Sequence, residues 1–254
     1  VTALAALTER VVHDALRNDL PFAALSPAAN FLVFNFMLGS VIDTGGMSYP
    51  QYVLPVVVIQ VIFLGALTTV DRAAHDERTD FADRLRTLPI SAVTPLMARM
   101  SYCLFRGAIG LLATVVVGYV FGFRMFGGLV YLAAFAVLVL MLTLALSLAA
   151  DAAGILSVTW GGGTAGGGGF TQLLLVPQML LVMLSTGMAP ADSFPDWLHP
   201  FVRNQPVSQV TQTLRGLAGG HIVVSNLATS LAWCLGLLVV FGALAVRIQR
   251  RRPQ

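Results

Sequence analysis

Apolar residues fall in six long runs, roughly Pro27–Ile42, Tyr52–Val70, Leu104–Phe121, Leu129–Ala150, Thr171–Met188 and Leu227–Val246. Runs of this length suit helices that cross the ~30 Å hydrocarbon core of a bilayer. Polar residues gather between them, and fourteen of the fifteen arginines lie outside the runs. The pattern predicts an all-α integral membrane protein with six transmembrane helices. Asn30 and Asn35 interrupt the first run, whose helix can start earlier, near Phe22, because Ser26 and Pro27 are tolerated close to a membrane helix end. Gln60 in the second run would be costly against lipid, so it is expected to face other helices.

The connecting segments carry their own periodicities. Leu4, Leu7, Val11, Ala15 and Leu16 recur at helical spacing, with charged residues largely opposite. An amphipathic helix along the membrane surface, ending near Pro21, is predicted there rather than a secretory signal. The stretch from Asp71 to Ser91 is the densest in charge. Phe81, Leu85 and Leu88 share one face of it, and Pro89 would end a short amphipathic helix. Such a helix can dock a soluble partner or act as a hinge at the membrane surface. After the fifth run, Trp197 and Phe201 stand among Pro190, Pro195, Pro200 and Pro206. That composition predicts broken interfacial helices that dip partly into the bilayer. From Val207 to Leu217 the spacing predicts three helical turns, with Val210, Leu214 and Leu217 on one face.

Charge supplies an orientation. With both termini in the cytoplasm, the inner segments hold eleven arginines and the outer ones three, Arg124, Arg203 and Arg215. This is the positive-inside bias. A pI near 9.2 could suggest nucleic acid, but basic residues gathered on one side of a membrane need no such partner. Six spans leave no room for a soluble catalytic domain of ordinary size.

Candidate chemistry is sparse. Cys103 and Cys234 fall at or within the runs and read as buried apolar filler. The glycines of Ala152–Gly169 predict a flexible inner loop, and GxxxxGK[ST] is missing from it, so no ATP site is expected in this chain. Arg106 is the basic residue left inside a run. It either snorkels to the inner interface or serves a subunit interface or translocation route. No acidic residue falls inside the six runs as bounded above, so a partner for Arg106 is expected from a loop, a second subunit or a lipid headgroup. His199 and His221 form no acid/base cluster that would favour a lipid-modifying enzyme. Missing intramembrane acid likewise weighs against an ion-coupled transporter or channel.

Four motifs point to a known family. They are RLRTLPISAVTPLMAR at Arg84–Arg99, GYVFGFR at Gly118–Arg124, STGMAP at Ser185–Pro190 and FPDWLHPFVRNQPVSQVTQTLRGLAGG at Phe194–Gly220. In their order across almost the whole chain, the protein resembles the six-span permeases of ABC-2 type exporters, and among them the actinobacterial daunorubicin-resistance and complex-lipid exporters.

The resemblance implies one transmembrane domain over 1–254. Its parts are an interfacial helix at 1–21, spans one and two at 22–70, a cytoplasmic coupling region at 71–92, spans three to five at 93–188, an outer re-entrant hairpin at 189–222, and span six with its tail at 223–254. It implies that Arg78, Phe81, Arg84, Leu85 and Arg86 receive motion from a cytoplasmic ATP-binding subunit, which holds ATP and Mg; no cofactor is expected in this chain. A second permease subunit, identical or paralogous, completes the plasma-membrane exporter of a hydrophobic drug or lipid. Candidate translocation or interface residues are Asn30, Phe34, Asn35, Gln60, Phe63, Arg106 and Gln178. Trp197, Phe201, Arg203, Asn204 and Arg215 mark the outer hairpin. The glycine tract departs from the charged inner connection usual in the family.

Overall fold

An apolar medium offers backbone N–H and C=O groups no water, so long apolar segments satisfy them internally as helices. The computed structural model describes residues 20–38, 47–78, 93–160 and 167–251, and among these there is no strand. Eight α-helices follow in order: α1 Leu20–Leu38, α2 Tyr49–Arg78, α3 Thr94–Val120, α4 Gly128–Trp160, α5 Gly167–Met183, α6 His199–Asn204, α7 Pro206–Ala218 and α8 Val224–Arg251. Helices α2, α3, α4 and α8 are long and apolar enough to cross a membrane, while α1 and α5 contain shorter apolar stretches.

Several helices outrun the apolar runs that predicted them. α1 begins at Leu20 and carries Pro27 inside it. α2 continues past Val70 to Arg78, and α3 starts ten residues before Leu104. α4 passes Ala150 and ends at Trp160, so much of the expected inner loop is helix. α5 in turn takes up Gly167 to Gly169. Hydropathy ends where charge begins, but a helical hydrogen-bond ladder does not. The expected interfacial helix lies outside the described residues apart from Leu20 and Pro21, which belong to α1, and 79–92 and 161–166 lie outside them too.

Contacts between the elements set their directions. Phe31 and Phe36 of α1 meet Phe121 at the end of α3. Gln51 near the start of α2 bonds to Arg124, whereas Asp76 near its end meets Arg99 near the start of α3. Successive members of α1 to α5 therefore alternate in direction, and α8 returns from the hairpin beside α4. One end of the bundle carries charged side chains; the other carries the segment 184–223. Below we call them the charged end and the hairpin end.

α2 is the central helix. Every residue from Gln51 to Gln60 is buried, and α2 packs against α1, α3, α4, α5 and α7, most extensively against α4. Val53, Leu54, Val57 and Ile59 form a core with Phe31, Phe135, Leu138 and Leu214. Small residues allow the closest approach. A Cβ added at Gly154 of α4 would strike the carbonyl of Val70 and lie 2.8 Å from the Cβ of Ala73, the close backbone packing that small residues permit between membrane helices.

Candidate functional site

The charged end is organised by a buried ion pair. Arg99 Nε lies 2.6 Å from Oδ1 of Asp151, whose side chain is 0% exposed, and Arg99 Nη1 lies 3.5 Å from Oδ2 of Asp76. One guanidinium thus ties α3 to α4 and to α2. Neither oxygen of Asp151 has an aligned hydrogen-bond partner, so the contact is charge on charge. The expectation that no span holds an acidic residue is corrected here: Asp151 lies within the apolar helix α4. Its charge is tolerable because Arg99, brought to it by packing, compensates it. Around the pair, Arg72 sits 4.7 Å over the ring of Tyr102, and Thr171 donates to Asp71 Oδ1 at 2.5 Å, joining α5 to α2.

A cavity of about 30 Å³ occupies the middle of the bundle and is lined by residues of α1, α2, α3 and α4, among them Ser26, Gly65, Thr69, Arg106 and Thr143. Arg106 stands twelve residues from the start of α3 and fourteen from its end. At 1.5 Å per residue that is ~18 Å from Thr94. Its guanidinium turns sideways onto α2: a Cβ at Gly65 would lie 2.6 Å from Nη1. Snorkelling toward a helix end is therefore not the conformation adopted. Nε is buried without a hydrogen-bond partner, and among the described residues no carboxylate forms an ion pair with Arg106.

At the hairpin end, polar contacts replace charge pairing. Pro190, Pro195, Pro200 and Pro206 break the chain into two short 3-10 turns at Ala191–Ser193 and Asp196–Leu198, then α6 and α7. Pro200 and Pro206 fall in the first turns of their helices, where a missing N–H costs nothing. Val210, Leu214 and Leu217 turn inward from α7, as its spacing predicts, and Val207 is buried with them. Gly220, at φ 76, gives the left-handed turn after α7 and comes close to Gly127. Arg215 stacks 3.7 Å over Tyr52 and donates from Nη2 to the carbonyl of the same residue at 3.0 Å. The Tyr52 hydroxyl donates to Thr186 O at 2.9 Å. Burial pushes the Arg215 guanidinium down from its ordinary range, with Tyr52 opposing the shift. Gln51 meets Arg124 at two points, donating to its carbonyl at 2.9 Å and accepting from its N–H at 3.0 Å.

The predicted residues divide among these regions. Of the seven translocation candidates, Arg106 alone lines the central cavity. Gln60 and Gln178 are buried, Gln60 thereby facing other helices as expected, and Phe34 and Phe63 pack on the main core. Asn30 and Asn35 are half-buried on α1. The structure does not gather these seven into one site. Arg78 is the last residue of α2 and exposed, while Phe81, Arg84, Leu85 and Arg86 lie outside the described residues. In the hairpin, Trp197 is 79% exposed and Phe201 also exposed. Arg203 pairs with Asp192 at 3.1 Å, and Asn204 donates to Pro200 O at 2.9 Å. Cys103 and Cys234 are buried free thiols. Sequence reasoning missed Asp76, Arg99 and Asp151. The signal available was a lone Asp continuing an unbroken helical pattern past Ala150.

Among the described residues no group of three or more His, Cys, Asp or Glu is placed to hold a metal ion. The arrangement is suited to binding and movement: a charged joint, a small cationic cavity and a polar clasp at opposite heights. Comparison with known proteins agrees with that character. A family model described as an ABC-2 family transporter protein matches residues 3–247. The chain is 32% identical over 209 residues to the doxorubicin resistance ABC transporter permease protein DrrB of Mycobacterium tuberculosis, covering 80% of this chain and 70% of that one. It is 26% identical over 223 residues to the probable doxorubicin resistance ABC transporter permease protein DrrC of the same organism, covering 86% and 76%. Similarity extends to the daunorubicin resistance ABC transporter permease protein DrrB1 of Streptomyces coeruleorubidus, at 24% identity over 228 residues, covering 90% and 78%.

Proposed function

Because the chain belongs to the ABC-2 transporter family, we propose that it forms one membrane half of an ATP-driven exporter moving a hydrophobic drug or complex lipid outward across the plasma membrane. The observation that carries this reading is the family match over residues 3–247, which takes in every described helix but the last few residues of α8. Relatives named for doxorubicin and daunorubicin resistance support a drug-like cargo.

In this reading α1 to α5 and α8 are the six spans, and 189–222 is an outer re-entrant hairpin. Both termini are cytoplasmic, with the N-terminal segment lying along the inner surface as an interfacial helix. The charged end is then cytoplasmic, in keeping with the arginine bias. ATP and Mg belong to cytoplasmic ATP-binding subunits, and a second permease subunit completes the route. The segment beyond Arg78, with Phe81, Arg84, Leu85 and Arg86, receives the motion of the ATP-binding subunit. Asp76 and Arg99 flank that segment in sequence, and their shared contact supports a mechanical path from it to Asp151 on α4. Asn30, Phe34, Asn35, Gln60, Phe63, Arg106 and Gln178 are distributed over the route and the subunit interface. An amphiphile suits such a largely apolar path, since its tail need not leave an apolar environment.

A nucleotide-independent transporter would find an intramembrane acid in Asp151, but its compensation by Arg99 and the family match favour the exporter. The deciding experiment is uptake of doxorubicin into inverted vesicles holding this chain together with a candidate ATP-binding subunit. ATP-dependent uptake is expected, along with lost co-purification of that subunit after charge reversal at Arg78, Arg84 and Arg86. Uptake that persists without nucleotide would point instead to a secondary transporter.

A further inference from the structure

We propose that the central cavity binds an oxyanion, the ionised end group of an amphiphile, on the guanidinium of Arg106. This rests on the exporter reading and names the chemical class that one of its sites would take.

The site is cationic, lies away from the helix ends, and among the described residues has no compensating carboxylate. Arg106 lies at the middle of α3, opposite Gly65, which is sixteen residues into α2 and thirteen from its end. Thr143, also on the cavity, is fifteen residues from the start of α4 and seventeen from its end. All three helices therefore present their midpoints here. A guanidinium does not lose its proton under ordinary conditions, so Arg106, half-buried with its Nε enclosed, stays cationic there. A charge inside a span is ordinarily paired or hydrated. Asp151, the acid found in α4, is eight residues beyond Thr143, ~12 Å along the helix, and already in contact with Arg99.

The guanidinium, not the neutral polar groups, selects the sign of the guest. Thr69 donates to Gly65 O at 3.0 Å, Thr114 to Gly110 O at 2.7 Å and Thr143 to Val139 O at 2.8 Å. These three hydroxyls turn to their own helices; Ser26, Cys103 and Ser147 also line the space, and the guanidinium is the charged donor among the lining groups. A fork of charged N–H groups matches the two oxygens of a carboxylate or phosphate, whereas a protonated amine would be repelled. Val58, Ile62 and Val139 wall the space with apolar surface, and a low local dielectric strengthens the attraction. A volume near 30 Å³ holds about two waters. It therefore suits an end group, with the apolar remainder of the guest lying outside the cavity. Glycine at position 65 keeps the place for the guanidinium open, since any larger residue would push Nη1 aside.

The test is equilibrium binding to the full chain in phosphatidylcholine nanodiscs, using a fluorescent fatty acid with its carboxyl ionised and its uncharged methyl ester. The acid is expected to bind at least tenfold more tightly than the ester. That preference should survive in Arg106→Lys, fall in Gly65→Ala and vanish in Arg106→Gln, with folding of each variant checked by its elution and thermal transition. Equal affinity for acid and ester in the unaltered protein, or an undiminished preference in Arg106→Gln, overturns the proposal. Displacement of the probe by phosphatidylglycerol, dependent on Arg106, would assign the anion to a membrane phosphate. Arg106-dependent binding that phosphatidylglycerol leaves untouched would assign it to a carboxylate cargo. Neither arm uses nucleotide, so the anion site can fail while ATP-driven uptake of doxorubicin stands, and the reverse.

Discussion

Arg99 and Asp151 lie 52 positions apart in the chain and meet at 2.6 Å, one from each of two neighbouring apolar helices. Both charges lose water on burial, so the pair is weak evidence for net stability, yet removing one member strands the other. Arg99→Met, which leaves the fully buried Asp151 carboxylate without its cation, is therefore expected to destabilise the protein by ~3–5 kcal/mol, read as a lowered unfolding temperature in detergent. The double variant Arg99→Met with Asp151→Leu should recover most of that loss. If the double variant is no more stable than Arg99→Met, the stranded charge is not the cause.

The same double variant separates stability from coupling. Asp76 and Arg99 stand on either side of the segment proposed to contact the ATP-binding subunit. A folded protein lacking the charged joint should keep ATP hydrolysis in the assembled exporter while transport falls several-fold. Parallel loss of both activities would instead indicate defective assembly.

Gly154 lets α4 approach α2 closely. Gly154→Ala puts a methyl group against the backbone at Val70 and the side chain of Ala73, and neither can swing away. A loss of ~1–3 kcal/mol is expected from overpacking. Gly236→Ala, on α8, meets nothing within 4 Å and serves as the control. Equal thermal transitions for the two variants would remove the argument for close packing.

Gln51 closes the hairpin end by exchanging two hydrogen bonds with the backbone of Arg124. Gln51→Leu removes both bonds from the backbone of Arg124, an exposed residue that water can then reach. A net loss of about 0.5–1.5 kcal/mol per bond is expected. Faster hydrogen exchange is expected at the α3–α4 turn, with the charged end unaffected.

Arg215 holds α7 to the start of α2 through the Tyr52 ring and two carbonyls, Tyr52 O at 3.0 Å and Thr186 O at 3.4 Å. A double-mutant cycle with Arg215→Gln and Tyr52→Leu should give a coupling energy of ~0.5–2 kcal/mol for the stacked cation. Additive effects would mean that the carbonyl contacts alone anchor the hairpin.

Much of the architecture is legible one segment at a time. The apolar runs name α2, α3, α4 and α8 as helices fit for a membrane, and they also find the shorter α1 and α5. Proline spacing predicts the broken hairpin, and the helical spacing of Val210, Leu214 and Leu217 predicts the buried face of α7. These are local properties. Apolarity and proline content act within a few turns of their own helix, whatever lies opposite.

Charge partners are not local, and there the sequence alone misleads. Asp151 looks like the edge of a loop because hydropathy falls at that point; only the packing of α3 on α4 brings Arg99 near enough for the carboxylate to sit inside a helix. Arg106 is recognisable as an arginine within a span, but its direction depends on a glycine in α2, forty-one positions earlier. Gln60 and Gln178 are both buried as their cost in lipid requires, yet they do not share the cavity of Arg106. The chain by itself determined which segments are helical and apolar. Tertiary structure decided which charges are compensated, because that depends on the rotation and relative depth of helices distant in sequence.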